Sequence, residues 1–303
     1  MLDLYFVYPP RDDMMVKMID VGANILFSYS NSKSLFLKFR DKFTEKNKVF
    51  MDSGAFTLWT KGKQVNVEEY INFLNENSDK LTLFGQVDVI PGDIVHGATM
   101  EQVREAAQAT WDNYLYMRPR LKNPEGLMYT FHVGEPYEYL QQALDWRDEE
   151  GKPISYMALG GMVGKPKAIR ENFLKTVYDI IQGSSNPGIK IHAFGMTNFD
   201  LLDSFPITSA DSSSYIMTAV NGGIMSKYGV ISLSDKRETE ITHWKNLPKE
   251  YQENLANYVS NLGFTLQELT TNPYARQMFN YLFMIDRAKN LTRQKKPKKK
   301  SLI

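Results

Sequence analysis

Aspartate, histidine and glycine residues recur in six short segments of this 303-residue chain. The segments are MDSGAF with Asp52 and Ser53, GQVDVIPGD with Gln86 and Asp88, YTFHVGE with His132, MALGGMVG with Gly160 and Gly161, IHAFGMTN with His192 and Gly195, and TSADSSSY with Asp211. Two aspartates that face each other across a sugar could transfer a glycosyl group, one as nucleophile and the other as proton shuttle. The leaving group would be a sugar or a nucleobase, and paired glycines favour the close approach of a flat base.

Each of these residues also has a simpler explanation when it is taken singly. An aspartate such as Asp52 or Asp88 commonly caps the helix that follows a strand. A lone His132 or His192 is more often a hydrogen-bonded core residue than a catalyst. Metal-assisted hydrolysis is a second chemistry open to such oxygen and nitrogen donors, but no H-x-H or H-E-x-x-H spacing supports it. Taken together, the six segments favour one polar site, and we predict that it holds no metal.

Short apolar runs and longer amphipathic segments alternate along the chain. The predicted strands cover residues 4–8, 25–29, 49–52, 83–88, 127–132, 154–159, 189–194 and 207–211. The predicted helices cover residues 12–19, 32–43, 67–77, 100–117, 137–150, 167–182 and 198–204. Such alternation is typical of βαβ units with a parallel sheet.

Eight such units before about residue 230 predict an α/β fold, a (β/α)8 TIM barrel, whose strands carry the active site at their carboxyl ends. An open doubly wound sheet is the second architecture to consider, but YPPRDD follows the first strand where G-x-G-x-x-G would be expected. Further helices are predicted at 249–262 and 266–290, the second opened by Thr265 and Glu268 as a capping box. We expect a barrel domain over 1–286, with C-terminal helices from about 248 on its outside, and a disordered basic tail over 287–303.

Composition excludes several classes of protein. Hydrophobic residues make up 43% of the chain and charged residues 23%, which excludes disorder over most of its length. The chain has no cysteine, which excludes disulfides, a cysteine nucleophile and a thiolate zinc site. It also shows no apolar run of about 18 residues and no signal sequence at its start. We therefore expect a soluble, cytoplasmic protein without a membrane partner.

Charge is distributed unevenly along the chain. Eight of the 36 lysines and arginines lie in the last 17 residues, which contain no acidic residue. The rest of the chain has 28 basic and 35 acidic residues and is therefore net negative. The basic segment is either a solvated terminus or a tether for a polyanion such as a nucleic acid, whose binding would weaken with salt.

The six segments, in this order, resemble the tRNA-guanine transglycosylase superfamily. They are most similar to its DNA branch, the deazapurine DNA-modification (DpdA-like) guanine transglycosylases of phages and bacterial genomic islands. The resemblance covers about residues 50–220 and implies that Asp211 is the nucleophile and Asp52 the proton shuttle. It also implies that Ser53, Asp88, His132, Gly160 and Gly161 bind the base, with Gln86, His192 and Gly195 as supporting residues.

The resemblance implies an enzyme without a cofactor that exchanges guanine in DNA for a free 7-deazaguanine base, such as 7-cyano-7-deazaguanine. The target guanine would be flipped out of a duplex. The tRNA enzymes carry a C-terminal Cys/His zinc site, which this chain cannot form, and they differ from SSSY after the nucleophile; both differences favour DNA over tRNA. The same residues are also compatible with a glycoside hydrolase-like barrel or a catalytically silent nucleic-acid-binding barrel. The candidate nucleic-acid contacts are Arg118, Arg120, Lys122, Lys165, Lys167, Arg170, Lys295, Lys296, Lys298, Lys299 and Lys300.

Overall fold

Eight parallel strands form a closed barrel in the structure, a computed structural model that describes residues 2–93 and 95–291. The strands are β1 (Asp3–Val7), β2 (Asn24–Ser28), β3 (Val49–Asp52), β4 (Leu83–Gly85), β5 (Leu127–His132), β6 (Tyr156–Gly160), β7 (Lys190–Ala193) and β8 (Ser209–Ser212). The N–H of Asp3 donates to the carbonyl oxygen of Thr208 at 3.0 Å, which joins the first strand to the last. The predicted (β/α)8 TIM barrel is confirmed.

Helices connect these strands and continue after them. They are α1 (Asp12–Asp20), α2 (Tyr29–Phe39), α3 (Ala55–Trp59), α4 (Val67–Glu76), α5 (Met100–Met117), α6 (Tyr137–Asp145), α7 (Lys167–Gly183), α8 (Phe199–Ser204), α9 (Ser214–Val220), α10 (Lys249–Asn261), α11 (Leu266–Thr271) and α12 (Pro273–Lys289). The predicted helix at 137–150 is too long. The carboxylate of Asp148 accepts from the N–H groups of Glu150 and Lys152, which holds a turn where the helix was expected.

The barrel interior is apolar in its middle and polar at the carboxyl ends of the strands. Its apolar cluster consists of Tyr5, Leu26, Phe50, Leu83, Met128, Tyr156 and Ala158. Because side chains alternate between the two faces of a strand, the next inward residue after Phe50 is Asp52, and His132 follows Met128 by four residues. The alternation that builds the core therefore also turns the predicted site residues inward.

The described chain divides into two compact units, Leu2–Asp211 and residues 212–291. The second unit contains an antiparallel hairpin, β9 (Gly223–Ser226) and β10 (Gly229–Ser232), which the sequence pattern did not predict. Helix α12 contacts α9 and β9, and its buried Arg276 donates to the carbonyl oxygen of Ala219 at 2.9 Å. The predicted packing of the C-terminal helices on the barrel stays a prediction.

The predicted single helix at 266–290 is wrong, because it consists of α11 and α12 with a break at Asn272. The residue before a proline disfavours helical backbone, and Asn272 precedes Pro273 with φ −111° and ψ 106°. Its side chain instead accepts from the N–H groups of Tyr274 and Ala275 and caps α12. Thr265 caps α11 as predicted, accepting from the N–H of Glu268 at 3.1 Å.

Only the start of the predicted basic tail belongs to the described chain, where Arg287 and Lys289 lie in the last turn of α12. The five lysines at 295, 296 and 298–300 lie outside the described residues. Among the helices of residues 2–93 and 95–291, none combines the length and the apolar character that crossing a membrane requires.

Candidate active site

Asp211, at the carboxyl end of β8, is held through one carboxylate oxygen. Its Oδ1 accepts hydrogen bonds from the backbone N–H of Gly195 at 2.8 Å and from Nε2 of His192 at 3.2 Å. Gly195 has a φ of +61°, a conformation that suits a residue without a Cβ and that turns its N–H toward the carboxylate. Within the described part of the chain no donor contacts Oδ2, so this oxygen is left to react with a ligand.

Asp52 lies at the carboxyl end of β3, where its Oδ2 accepts from the N–H of Gly54 at 3.0 Å. A hydroxyl from outside the barrel fixes this strand end. Oη of Tyr70 lies 3.0 Å from the carbonyl oxygens of both Met51 and Gly85 and so ties β3 to β4. The open side of Gly85 faces Asp52, because a Cβ built on Gly85 would lie 3.3 Å from Oδ1 of Asp52.

The environment of Asp52 favours a proton on its carboxyl group. Burial raises the pKa of Asp52 to about 7, with further raising effects from the charges of Asp88 and Asp211, against the lowering effect of the N–H of Gly54. A carboxyl group with this pKa is present in both protonation states near neutral pH, which suits a group that gives and takes protons during a reaction.

Asp88 and His132 belong to a second cluster at the same end of the barrel. Nε2 of His132 lies 3.1 Å from Oδ2 of Asp88, and its Nδ1 lies 2.8 Å from Oε1 of Glu135. Burial alone would lower the pKa of this imidazole, but the hydrogen bonds with Asp88 and Glu135 together raise it to about 10. His132 is therefore a cation held between two carboxylates at neutral pH.

Gly160 leaves the room that this imidazole needs. His132 and Gly160 are register partners on β5 and β6, and a Cβ on Gly160 would lie 2.4 Å from Cδ2 of His132 and 2.8 Å from its Nε2. Gly161 comes next in the chain, at the start of the exposed segment that leads to α7. The absence of a side chain at Gly160 therefore makes space for the imidazole of His132.

Ser53 and Gln86, both predicted as site residues, are fully buried beside the site. The hydroxyl oxygen of Ser53 accepts from the N–H of Ala55 at 3.3 Å. Because the open side of Gly85 faces Asp52, alternation turns the side chain of Gln86 to the other face of the barrel wall. Neither polar atom of the Gln86 amide has a hydrogen-bond partner within the described residues.

Three of the predicted nucleic-acid contacts lie at the wrong end of the barrel. Arg118, Arg120 and Lys122 follow α5 and precede β5, so they lie at the amino ends of the strands and not at the site. Arg118 is buried and paired with Glu125 at 2.8 Å and Asp148 at 3.3 Å. Its guanidinium stabilises the connection between helix and strand and is not open to a phosphate, so this prediction is corrected.

Of the other basic candidates, Lys165, Lys167 and Arg170 belong to the described chain, and they lie at the same end as the site because they follow β6. Lys165 and Lys167 are exposed and Arg170 is half-buried. Lys167 is 3.4 Å from Oδ2 of Asp200 across an exposed surface. The segment between β3 and α4 adds Phe56, whose side chain is 63% exposed. Cationic and apolar groups thus share this face of the barrel.

Three polar residues of the site were not singled out by the sequence pattern. Glu135 pairs with His132, and the hydroxyls of Ser209 and Tyr156 form a chain that ends on His192. Glu135 stands three residues after His132 in the same segment, a spacing that could have indicated it. Ser209 and Tyr156 lie inside strands, where the sequence carries no sign that an inward hydroxyl has a polar partner.

No protein-family model matches this chain, and no curated protein matches it either. Among residues 2–93 and 95–291, no three histidine or acidic side chains are grouped as a metal ion would require. The geometry of the site is therefore the basis for inferring its chemistry.

Proposed function

We propose that the protein is a DNA guanine transglycosylase, which exchanges guanine in DNA for a 7-deazaguanine base through a covalent aspartyl–glycosyl intermediate. One observation carries the proposal: two carboxylates at the same end of the barrel have different environments. Asp211 is held by two N–H donors through one oxygen, and Asp52 has a pKa of about 7. Carboxyl groups in contrasting environments are the usual basis for separate nucleophile and proton-transfer roles.

The proposed reaction has two half-steps that mirror each other. In the first, Oδ2 of Asp211 attacks C1′ of the sugar, the bond from C1′ to guanine N9 breaks, and the departing guanine takes a proton from Asp52. In the second, the ring nitrogen of the incoming base attacks C1′ and gives its proton to Asp52. The bond from C1′ to Oδ2 breaks, and its electron pair returns to Asp211.

The cluster of Asp88, His132 and Glu135 supports a base-binding role beside this pair. His132 occupies one oxygen of Asp88, which leaves the other to accept hydrogen bonds from the N1–H and exocyclic amine of a guanine-like base. The imidazolium of His132 also offsets part of the negative charge that gathers at this end of the barrel.

The face around the site supports a nucleic acid as the substrate. Phe56, four residues after Asp52, is exposed where a base could stack, and Lys165 and Lys167 could contact phosphates. The chain lacks the cysteines of the zinc site that the tRNA enzymes carry, which favours DNA over tRNA.

Base exchange is the deciding experiment. The full-length protein is incubated with 7-cyano-7-deazaguanine and either duplex DNA or tRNA, and the digested nucleosides are analysed by mass spectrometry. We expect a deazaguanine deoxynucleoside from the DNA sample. Incorporation into tRNA alone would instead assign the tRNA reaction, and no incorporation into either would refute exchange and favour a hydrolase or a binding protein.

Variants of Asp211 test the proposed nucleophile. Asp211→Ala should abolish exchange and the covalent protein–DNA adduct seen on denaturing gels, with cooperative thermal unfolding retained. The matched control is Asp112→Ala, which removes an exposed carboxylate on α5 that accepts only from Gln108 among the contacts of the described chain. Full exchange by Asp211→Ala would exclude this residue as the nucleophile.

A further inference from the structure

A chain of hydrogen bonds runs through the barrel interior and ends on Asp211. The hydroxyl of Tyr156 donates to Oγ of Ser209 at 2.9 Å, and this Oγ lies 2.7 Å from Nδ1 of His192. Nε2 of His192 then lies 3.2 Å from Oδ1 of Asp211. Since Tyr156 and Ser209 are the first residues of β6 and β8, the hydrogen bonds run from the amino end of these strands to the carboxyl end of β8.

The hydrogens of this chain can be assigned from its chemistry. A carboxylate only accepts hydrogen bonds, so Nε2 of His192 carries the hydrogen that faces Asp211. Nδ1 is then free to accept the single hydrogen of Ser209, whose oxygen already receives the hydrogen of Tyr156. Burial raises the pKa of Tyr156 to about 12, so this hydroxyl keeps its proton at neutral pH. In this assignment each group uses one donor, and the hydrogen of His192 that faces Asp211 is on Nε2.

The surroundings of His192 hold it in this orientation. Its side chain is completely buried, with Phe50 and Phe194 packed edge-on at 5.0 and 4.9 Å between ring centroids. Hydrogen bonds in such an apolar environment are stronger than in water, and the two rings pack directly against the imidazole. The donor that faces Asp211 is therefore fixed before any ligand binds.

We propose that His192 and the backbone N–H of Gly195 stabilise Asp211 as a departing carboxylate, so that His192 is a positioning residue for the second half of the exchange. The inference rests on the proposed function, in which Asp211 carries the sugar. In the ester, Oδ1 is a neutral carbonyl oxygen; in the free carboxylate it shares a negative charge. Both donors bind the charged form more strongly, because hydrogen bonds to ionised groups are roughly twice as strong as neutral ones.

This asymmetry gives the two half-steps opposite responses. Removing the donor of His192 makes Asp211 a stronger nucleophile, so formation of the glycosyl ester does not slow. The same change makes Asp211 a poorer leaving group, so transfer of the sugar to the incoming base slows. One hydrogen bond to a charged group corresponds to about a 10- to 100-fold change in rate. A general loss of structure would slow both half-steps.

The test measures the two half-steps separately in the full chain. Formation of the covalent adduct is followed after mixing with duplex DNA, and its decay is followed after a chase with 7-cyano-7-deazaguanine. We expect His192→Phe to slow the decay about 10- to 100-fold, with formation undiminished and adduct accumulated. His192→Gln, which restores an N–H donor, should decay much faster than His192→Phe. Ser209→Ala keeps the imidazole but removes the hydroxyl that determines which ring nitrogen carries the hydrogen. It should therefore slow decay by less than His192→Phe.

The failures of the two proposals can be told apart. No adduct and no exchange by the wild-type protein would overturn the proposed function itself. Normal exchange by the wild type, together with equal slowing of both half-steps or of neither in His192→Phe, would overturn only the role of His192. A third readout needs no activity: ¹⁵N NMR of the imidazole nitrogens should show hydrogen on Nε2 and none on Nδ1. The opposite tautomer would refute the inference regardless of the kinetics.

Discussion

The pairing of His132 with two carboxylates predicts that the stability of the folded protein falls as the pH rises above neutrality. The pKa of His132 is about 10 in the folded protein, against 6.5 for the free side chain. A group whose pKa is raised by folding binds its proton more tightly in the folded state. Its stabilisation is therefore complete below about pH 6.5, decreases as the pH rises, and is gone above about pH 10.

The size of the effect follows from these two values. Each pH unit between them removes about 1.4 kcal/mol from the free energy of unfolding. Between pH 6.5 and about pH 8.5 the loss is about 2–3 kcal/mol. Little of it should be screened by solvent, because only 21% of the His132 side chain and 17% of the Asp88 side chain are exposed.

Urea unfolding of the wild type and of His132→Gln across this pH range measures the effect. The difference in unfolding free energy between the two proteins should shrink by about 2–3 kcal/mol, because other titrating groups contribute equally to both. His96→Gln is the matched control, since His96 also faces an aspartate, Asp93, but is 82% exposed. A constant difference between the wild type and His132→Gln at all pH values would show that His132 is not held as a cation.

Three further predictions concern the chemistry, the packing and the surface. Because the pKa of Asp52 is about 7, adduct formation should fall about tenfold per pH unit above neutrality if Asp52 supplies the proton. Pre-steady-state gels of the wild type measure this pH dependence, and Asp52→Asn should lack it. Gly160→Ala should displace the imidazole of His132 and lower the rate of exchange about 10- to 100-fold. Gly183→Ala is the control, because its new Cβ has open space and should leave exchange unchanged. Equal exchange by the two variants would contradict the packing of His132 against Gly160. Arg118→Ala should lower the free energy of unfolding in urea, because the buried guanidinium pairs with Glu125 and Asp148, and it should leave DNA affinity unchanged. Lys165→Ala should lower the salt dependence of binding by about one phosphate contact. Weaker DNA binding by a folded Arg118→Ala would contradict the correction to its position.

The barrel and the strand-end residues could be predicted because both depend on local pattern. Apolar runs of five or so residues define buried parallel strands, and the residue that ends each run is necessarily at the carboxyl edge. This pattern alone places Asp52, Asp211 and His132 at one end of the barrel, where the structure also has them.

The errors come from features that a local pattern does not contain. Helix α5 returns the chain to the amino ends of the strands, so the basic residues that follow it lie far along the barrel from the site. The charge of Arg118 says nothing about burial, which depends on Glu125 and Asp148 from later segments. Likewise, the four-residue strands β9 and β10 are too short to show alternation, and they are stabilised by pairing with each other.

The site gives three carboxylates three different environments on one barrel edge. Asp211 receives two N–H donors on one oxygen, Asp88 receives an imidazolium, and Asp52 receives one N–H donor and the repulsion of the other two charges. Like charges that lie close together are stable only if donors compensate some of them or one takes up a proton. Because donors hold Asp211 and Asp88, Asp52 is the carboxyl group whose pKa is raised and whose proton can move. Glu135 and His192 therefore matter to the reaction without touching a substrate, because Glu135 fixes the imidazole that pairs with Asp88, and His192 donates directly to Asp211.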